Sequence, residues 1–82
     1  MKLLKFEAPW CTACTQLTRI MESMTVPYPV ERIDIDQNHQ AAIEFGVRSV
    51  PHMVIVDDNQ NIVKRIVGVF SEEQLTKAFT QL

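Results

Sequence analysis

Only two cysteines occur in the 82 residues, and they stand three positions apart, as Cys11 and Cys14. A small secreted scaffold held by disulfides needs more cysteines, more widely spread. A bridge between these two closes too small a loop to stabilise a fold by chain entropy. Glycine is equally scarce, with two residues, and proline supplies four. That composition excludes collagen-like and low-complexity chains, and no internal repeat is present. No apolar run is long enough to cross a membrane. There is no basic stripe either. Eight Lys and Arg are scattered among ten Asp and Glu, for a net charge of −2, which gives no support to nucleic-acid binding through phosphate contacts. The opening stretch, Met1-Lys2-Leu3-Leu4-Lys5-Phe6-Glu7, lacks the apolar core of a signal peptide. A cytoplasmic protein without membrane contact is therefore expected.

What is present reads as one globular domain, residues 1–82, with 46% hydrophobic and 22% charged residues. A chain this short buries only a little over ~60% of its unfolded surface, so its core must be efficient. Lys2–Ala8 reads as a strand and turns at Pro9. Thr12–Met24 reads as a helix, with Leu17, Ile20, Met21 and Met24 on one face. Val26-Pro27-Tyr28-Pro29 breaks it. Val30–Asp36 alternates as a strand, with Ile33 and Ile35 to one side. Asn38–Phe45 is a short helix ending at Gly46. Met53–Val56 is apolar on both faces and reads as a central strand. A polar turn over Asp57–Asn61 returns it as Ile62–Val67. Ser71 starts the last helix, with Gln74 placed for a capping box. The order β-α-β-α-β-β-α predicts an α/β fold. It starts with a parallel βαβ unit and ends with a hairpin and helix, on one four-stranded mixed sheet covered by helices on both faces.

Trp10-Cys11-Thr12-Ala13-Cys14 falls where the first strand meets the first helix. Cys11 sits at or just before the helix N-terminus, where free N–H groups and the helix dipole favour an anion. The thiolate is the nucleophilic form, so Cys11 is the candidate attacking residue. Cys14, one turn later on the same side, is placed to resolve a mixed disulfide at Cys11. Two other readings stand beside redox chemistry. The pair could be half of a zinc site completed by His39 and His52, although neither falls at a usual spacing. It could also be two inert buried thiols.

Phe6-Glu7-Ala8-Pro9-Trp10-Cys11-Thr12-Ala13-Cys14 resembles the active-site segment of thioredoxins and protein disulfide isomerase domains. Asp34–Asn38 and then Phe45–Pro51 resemble the family's next strand, helix end and cis-proline loop. Val67–Ser71 with Gln74-Leu75 resembles its last strand end and last helix. The resemblance runs in register from about residue 4 to the C-terminus and implies a minimal thioredoxin-like fold. It implies that the Val50-Pro51 peptide is cis and lies beside the cysteines. Val50 would then supply main-chain contacts to an extended substrate, with His52 flanking them. Trp10 would be a surface aromatic that touches substrate, and Gly68 would let a partner backbone come close. No cofactor is implied beyond the redox-active Cys11–Cys14 disulfide, and no metal.

Three departures from the family qualify that likeness. Most thioredoxins begin with a further strand and helix, whereas here the first strand starts at residue 2. Leu4, Phe6, Ile33 and Ile35 are then expected to face the two-helix side of the sheet. Lys5, Glu7, Arg32 and Asp34 are expected on a thinly covered side, with their charges in water. Secondly, the family's usual buried acid, six residues before the first cysteine, is Lys5 here, and Glu7 is the nearest carboxylate in sequence. Both are candidate tuning residues. Thirdly, Thr12 and Ala13 separate the cysteines, where thioredoxins carry Gly-Pro. The leading expectation is a monomeric dithiol reductant of protein disulfides, recharged by a flavin-dependent reductase. A glutathione-dependent, glutaredoxin-like protein is an alternative, weakened because Val67-Gly68-Val69-Phe70 lacks that family's second Gly and its acid. An interaction module using Trp10, Val50, Val69 and Phe70 as an apolar rim is another.

Overall fold

The computed structural model describes residues 1–82. Its elements run β1 (Lys2–Glu7), α1 (Thr12–Glu22), β2 (Val30–Asp34), α2 (His39–Glu44), β3 (His52–Val56), β4 (Ile62–Val67) and α3 (Glu72–Thr80). The strands form one sheet in the order β2-β1-β3-β4. β1 and β2 are parallel, joined through α1, while β3 is antiparallel to both β1 and β4. Each expected element is present. The bounds of β4 match the sequence reading, and the ends of the other elements fall within one or two residues of it.

The element ends have local chemical causes. Asn38 accepts the Ala41 N–H to start α2, and Gly46, at φ +69°, follows its end. Ser71 and Gln74 form the reciprocal capping box at α3, with Glu72 and Glu73 in the first turn, where the helix dipole favours acids. Asp57 closes the β3–β4 turn by accepting the N–H groups of Asn59 and Asn61.

The central strands β1 and β3 are buried on both faces, while the edge strands β2 and β4 are largely exposed. α1 and α3 cover Leu3, Met53, Ile55 and Ile66 with Leu17, Met21, Leu75 and Phe79. α2 and the loop after it cover Leu4, Phe6, Ile33, Val54 and Val56 with Ala41, Phe45 and Val47. Each fully buried side chain of this size contributes roughly 1.5–3 kcal/mol. The sidedness is the reverse of the sequence expectation. Leu4, Phe6 and Ile33 meet the single helix α2. Leu3 and Lys5 lie on the two-helix side, paired across the sheet with Ile55 and Met53. Lys5 is not in water: its side chain is 2% exposed. The reason is register, since a residue between Leu3 and Glu7 on β1, opposite Met53, is carried beneath α1.

Candidate active site

The strand β1 ends at Glu7, and the chain tightens over Ala8-Pro9-Trp10, with the Cys11 N–H donating to the Ala8 carbonyl at 3.1 Å. Cys11 has extended backbone angles and is the N-cap of α1. Its Sγ accepts the Cys14 N–H at 3.0 Å, a place usually filled by a Ser, Thr, Asp or Asn oxygen. Cys11 and Cys14 are joined as a disulfide, with their Cα atoms 5.2 Å apart. Both are buried in this state, among Ala8, Ala13, Ile35 and Val50.

The loop before β3 meets this pair. The Val50-Pro51 peptide is cis. The Val50 carbonyl oxygen lies 3.8 Å from Cys11 Sγ, so Val50 is brought directly against the attacking position. The Gly68 N–H donates to the Pro51 carbonyl at 3.0 Å, which ties the end of β4 to this loop. Gly68 has φ +97°, and the position a Cβ would take has no atom within 4 Å. The space above its backbone is open, and its conformation suits glycine.

Trp10 is 66% exposed, and its Nε1 donates to Asp36 at 3.0 Å. The indole is held at the surface by one polar bond. Val69 is exposed too, whereas Phe70 is partly buried and packs against the core cluster that α1 and α3 cover. His52, next to Pro51 in the chain, is turned inward: it is 6% exposed, edge-on to Phe6, with Nε2 3.2 Å from the Arg65 guanidinium and Nδ1 unpartnered. The alternation of β3 explains this, because residue 52 shares the face of Val54 and Val56, which is covered by α2. Burial, followed by the Arg65 charge, holds its pKa below the ordinary value.

A cavity of about 260 Å³ lies behind Cys14, lined by Glu7, Thr15, Thr18, Arg32 and Asp34 among others. Glu7 accepts hydrogen bonds from Lys5 Nζ and from Nε and Nη2 of Arg32. Burial pushes the Glu7 carboxyl up, but the Arg32 and Lys5 hydrogen bonds and charges outweigh it, and the net shift is downward. Lys5 Nζ also donates to Thr18 Oγ1. Asp34, expected beside Lys5, instead caps the turn after β2 by accepting the Asp36 N–H. Thr18, Arg32 and Asp36 were not among the candidate site residues read from the sequence. Thr18 alone carried a signal, being four residues after Cys14 on the same helix face. No group of three His, Cys, Asp or Glu side chains converges as a metal site, and His39 and His52 do not join the cysteines.

The thioredoxin family model matches residues 1–81. The chain is 32% identical over 82 residues to the thioredoxin of Chlamydia muridarum, covering 96% of this chain and 79% of that one. It is 30% identical to an SPbeta prophage-derived thioredoxin-like protein of Bacillus subtilis, over 100% of this chain and 99% of the other. Among solved structures, Fasciola hepatica thioredoxin superposes with a TM-score of 0.85 at 28% identity, covering 98% of this chain and 78% of that one. The chain belongs to the thioredoxin family. With Cys11 and Cys14 paired at the strand–helix junction, it is a thiol–disulfide oxidoreductase.

Proposed function

We propose that the chain reduces protein disulfides by ordered exchange. The observation that carries this reading is the Cys11 sulfur at the N-cap of α1, where it accepts a main-chain N–H. Those same donors stabilise a thiolate in the reduced protein. The Cys11 thiolate attacks one sulfur of a substrate disulfide. A Cys11–substrate bond forms, the substrate S–S bond breaks, and the departing thiolate takes a proton from solvent. Cys14 then attacks Cys11, forming the internal disulfide and releasing the second substrate thiol. Two electrons pass from the cysteine pair to the substrate, and no further cofactor is invoked.

Val50 offers main-chain contacts to an extended substrate segment beside Pro51. Open space over Gly68 admits the segment's backbone, and Trp10 supplies an exposed aromatic contact. A flavin-dependent thioredoxin reductase restores the dithiol. The protein acts as a monomer in the cytoplasm, serving electron transport and cellular redox balance. The test is insulin reduction with two electron sources, a flavin-dependent thioredoxin reductase and glutathione with its reductase. Turnover is expected with the first. Turnover with glutathione alone would move the protein to the glutaredoxin-like class, and none with either would overturn the reductase reading.

A further inference from the structure

Cys14 is held from behind by a chain of hydrogen bonds that starts at a buried cation. Lys5 Nζ donates to Thr18 Oγ1 at 2.8 Å, and Thr18 Oγ1 donates to the Cys14 carbonyl at 3.0 Å. The charges around this chain come from three elements. From β1 come Lys5, 2% exposed, and Glu7, 16% exposed. From β2 come Arg32, with a 60% exposed side chain, and Asp34, whose carboxylate is turned to the backbone of Asp36. From α1 comes Glu22, at the surface of the neighbouring groove that Lys5 and Thr18 also line.

These charges do not act equally on Cys14. Arg32 holds both oxygens of Glu7, and Lys5 holds one of them again. A carboxylate so engaged must surrender hydrogen bonds to accept a proton, which makes it a poor base. Asp34, Arg32 and Glu22 reach water, where their fields are screened. The Lys5 ammonium is the one charge of the set that is fully buried, and a buried charge acts through a lower effective dielectric.

We propose that Lys5 is a positioning and electrostatic residue for the resolving step: tied through Thr18 to the Cys14 backbone, its ammonium fixes the first turn of α1 and favours the Cys14 thiolate. Resolution then depends on a buried cation and not on proton transfer to a carboxylate. The inference rests on the order of attack proposed above. In the step itself, Cys14 gives its proton to solvent through the cavity it shares with Thr15 and Arg32. The thiolate electron pair forms the bond to Cys11 Sγ. The Cys11–substrate bond breaks, and its electron pair leaves on the substrate sulfur, which takes up a proton.

The test uses the reduced full chain and an aromatic disulfide whose thiolate absorbs visible light. The first thiolate is released in proportion to reagent concentration, by Cys11. The second is released independently of it, by Cys14. Lys5→Met is expected to lower the ratio of second-phase to first-phase rate roughly tenfold near neutral pH, and to move the second-phase pH midpoint upward. Thr18→Val is expected to move it the same way, and Thr18→Ser to restore it. Glu7→Gln is expected to leave the second phase unchanged or faster. An unaltered midpoint in both Lys5→Met and Thr18→Val overturns the proposal. So does a second phase that depends on Glu7 and not on Lys5, which would make the carboxylate the base. If Lys5→Met does not fold, the two Thr18 variants decide. A second release that survives in Cys14→Ser would sink the order of attack itself, a failure separate from that of Lys5.

Discussion

The sulfur of Cys11 caps the helix that carries Cys14, accepting the Cys14 N–H at 3.0 Å. In the reduced protein that donor and the α1 dipole remain aimed at Cys11, whereas Cys14 sits one turn inside the helix. Cys11 is therefore expected to be alkylated first at neutral pH, with peptide mass spectrometry as the readout. Faster labelling of Cys14 would falsify the role assignment.

Cys14→Ser is expected to accumulate mixed disulfides with client proteins, because the resolving attack is lost. Cys11→Ser is expected to accumulate almost none. Non-reducing gels of the two variants after exposure to oxidised client compare them directly, and equal trapping would contradict the ordered exchange.

Trp10 stands two-thirds exposed on a single bond to Asp36. Its truncation should therefore cost little stability and mainly weaken substrate encounter. Trp10→Ala is expected to lower kcat/KM for a protein disulfide by roughly tenfold, the size of a modest interface anchor, with the denaturation midpoint nearly unchanged. A large loss of stability with unaltered kcat/KM would make Trp10 a packing residue.

Acid should destabilise the fold, and His52 and Glu7 are two of the groups through which it acts. Burial and the Arg65 charge depress the His52 pKa below 6.5, so the folded chain keeps it neutral where the unfolded chain protonates. That contribution is complete above the unfolded value and is lost as the pH falls towards the folded one. For Glu7, desolvation is outweighed by Arg32 and Lys5, and its pKa falls below 4.5. Its contribution is present above that value and is lost as the pH falls through the folded one. Urea midpoints measured across pH should decline first below about 6.5. His52→Phe should remove that first decline, and Glu7→Gln should reduce the second, which Asp57 shares. A midpoint that stays flat well into the acid range would show that neither shift exists.

Ser71→Ala removes one half of the α3 capping box and leaves the Gln74 N–H without its acceptor. The expected cost is about 1 kcal/mol, read by chemical denaturation, with thiol exchange unaffected because α3 does not touch the cysteines.

The chain's elements and their order were legible without coordinates, because apolar spacing, Pro27 and Pro29, and the Ser71 cap act within a few residues of themselves. The cysteine pair was legible for the same reason: a helix start and a one-turn offset are local facts, and they place Cys11 at the cap and Cys14 behind it. Alternation also sorted β1 into two sets, Leu4 and Phe6 against Lys5 and Glu7. It could not say which set meets which helix, since a period of two is the same seen from either face. Only the register of β1 against β3 set Lys5 opposite Met53 and beneath α1, and only α1 could then offer Thr18 as its partner. His52 followed the same rule, carried inside by the alternation of β3 and not by its neighbour Pro51. Bonds between side chains far apart in sequence, Lys5 to Thr18, Trp10 to Asp36 and Arg32 to Glu7, depend on how strands and helices stack. No local pattern encodes that stacking; the packing on the two faces of the sheet decides it.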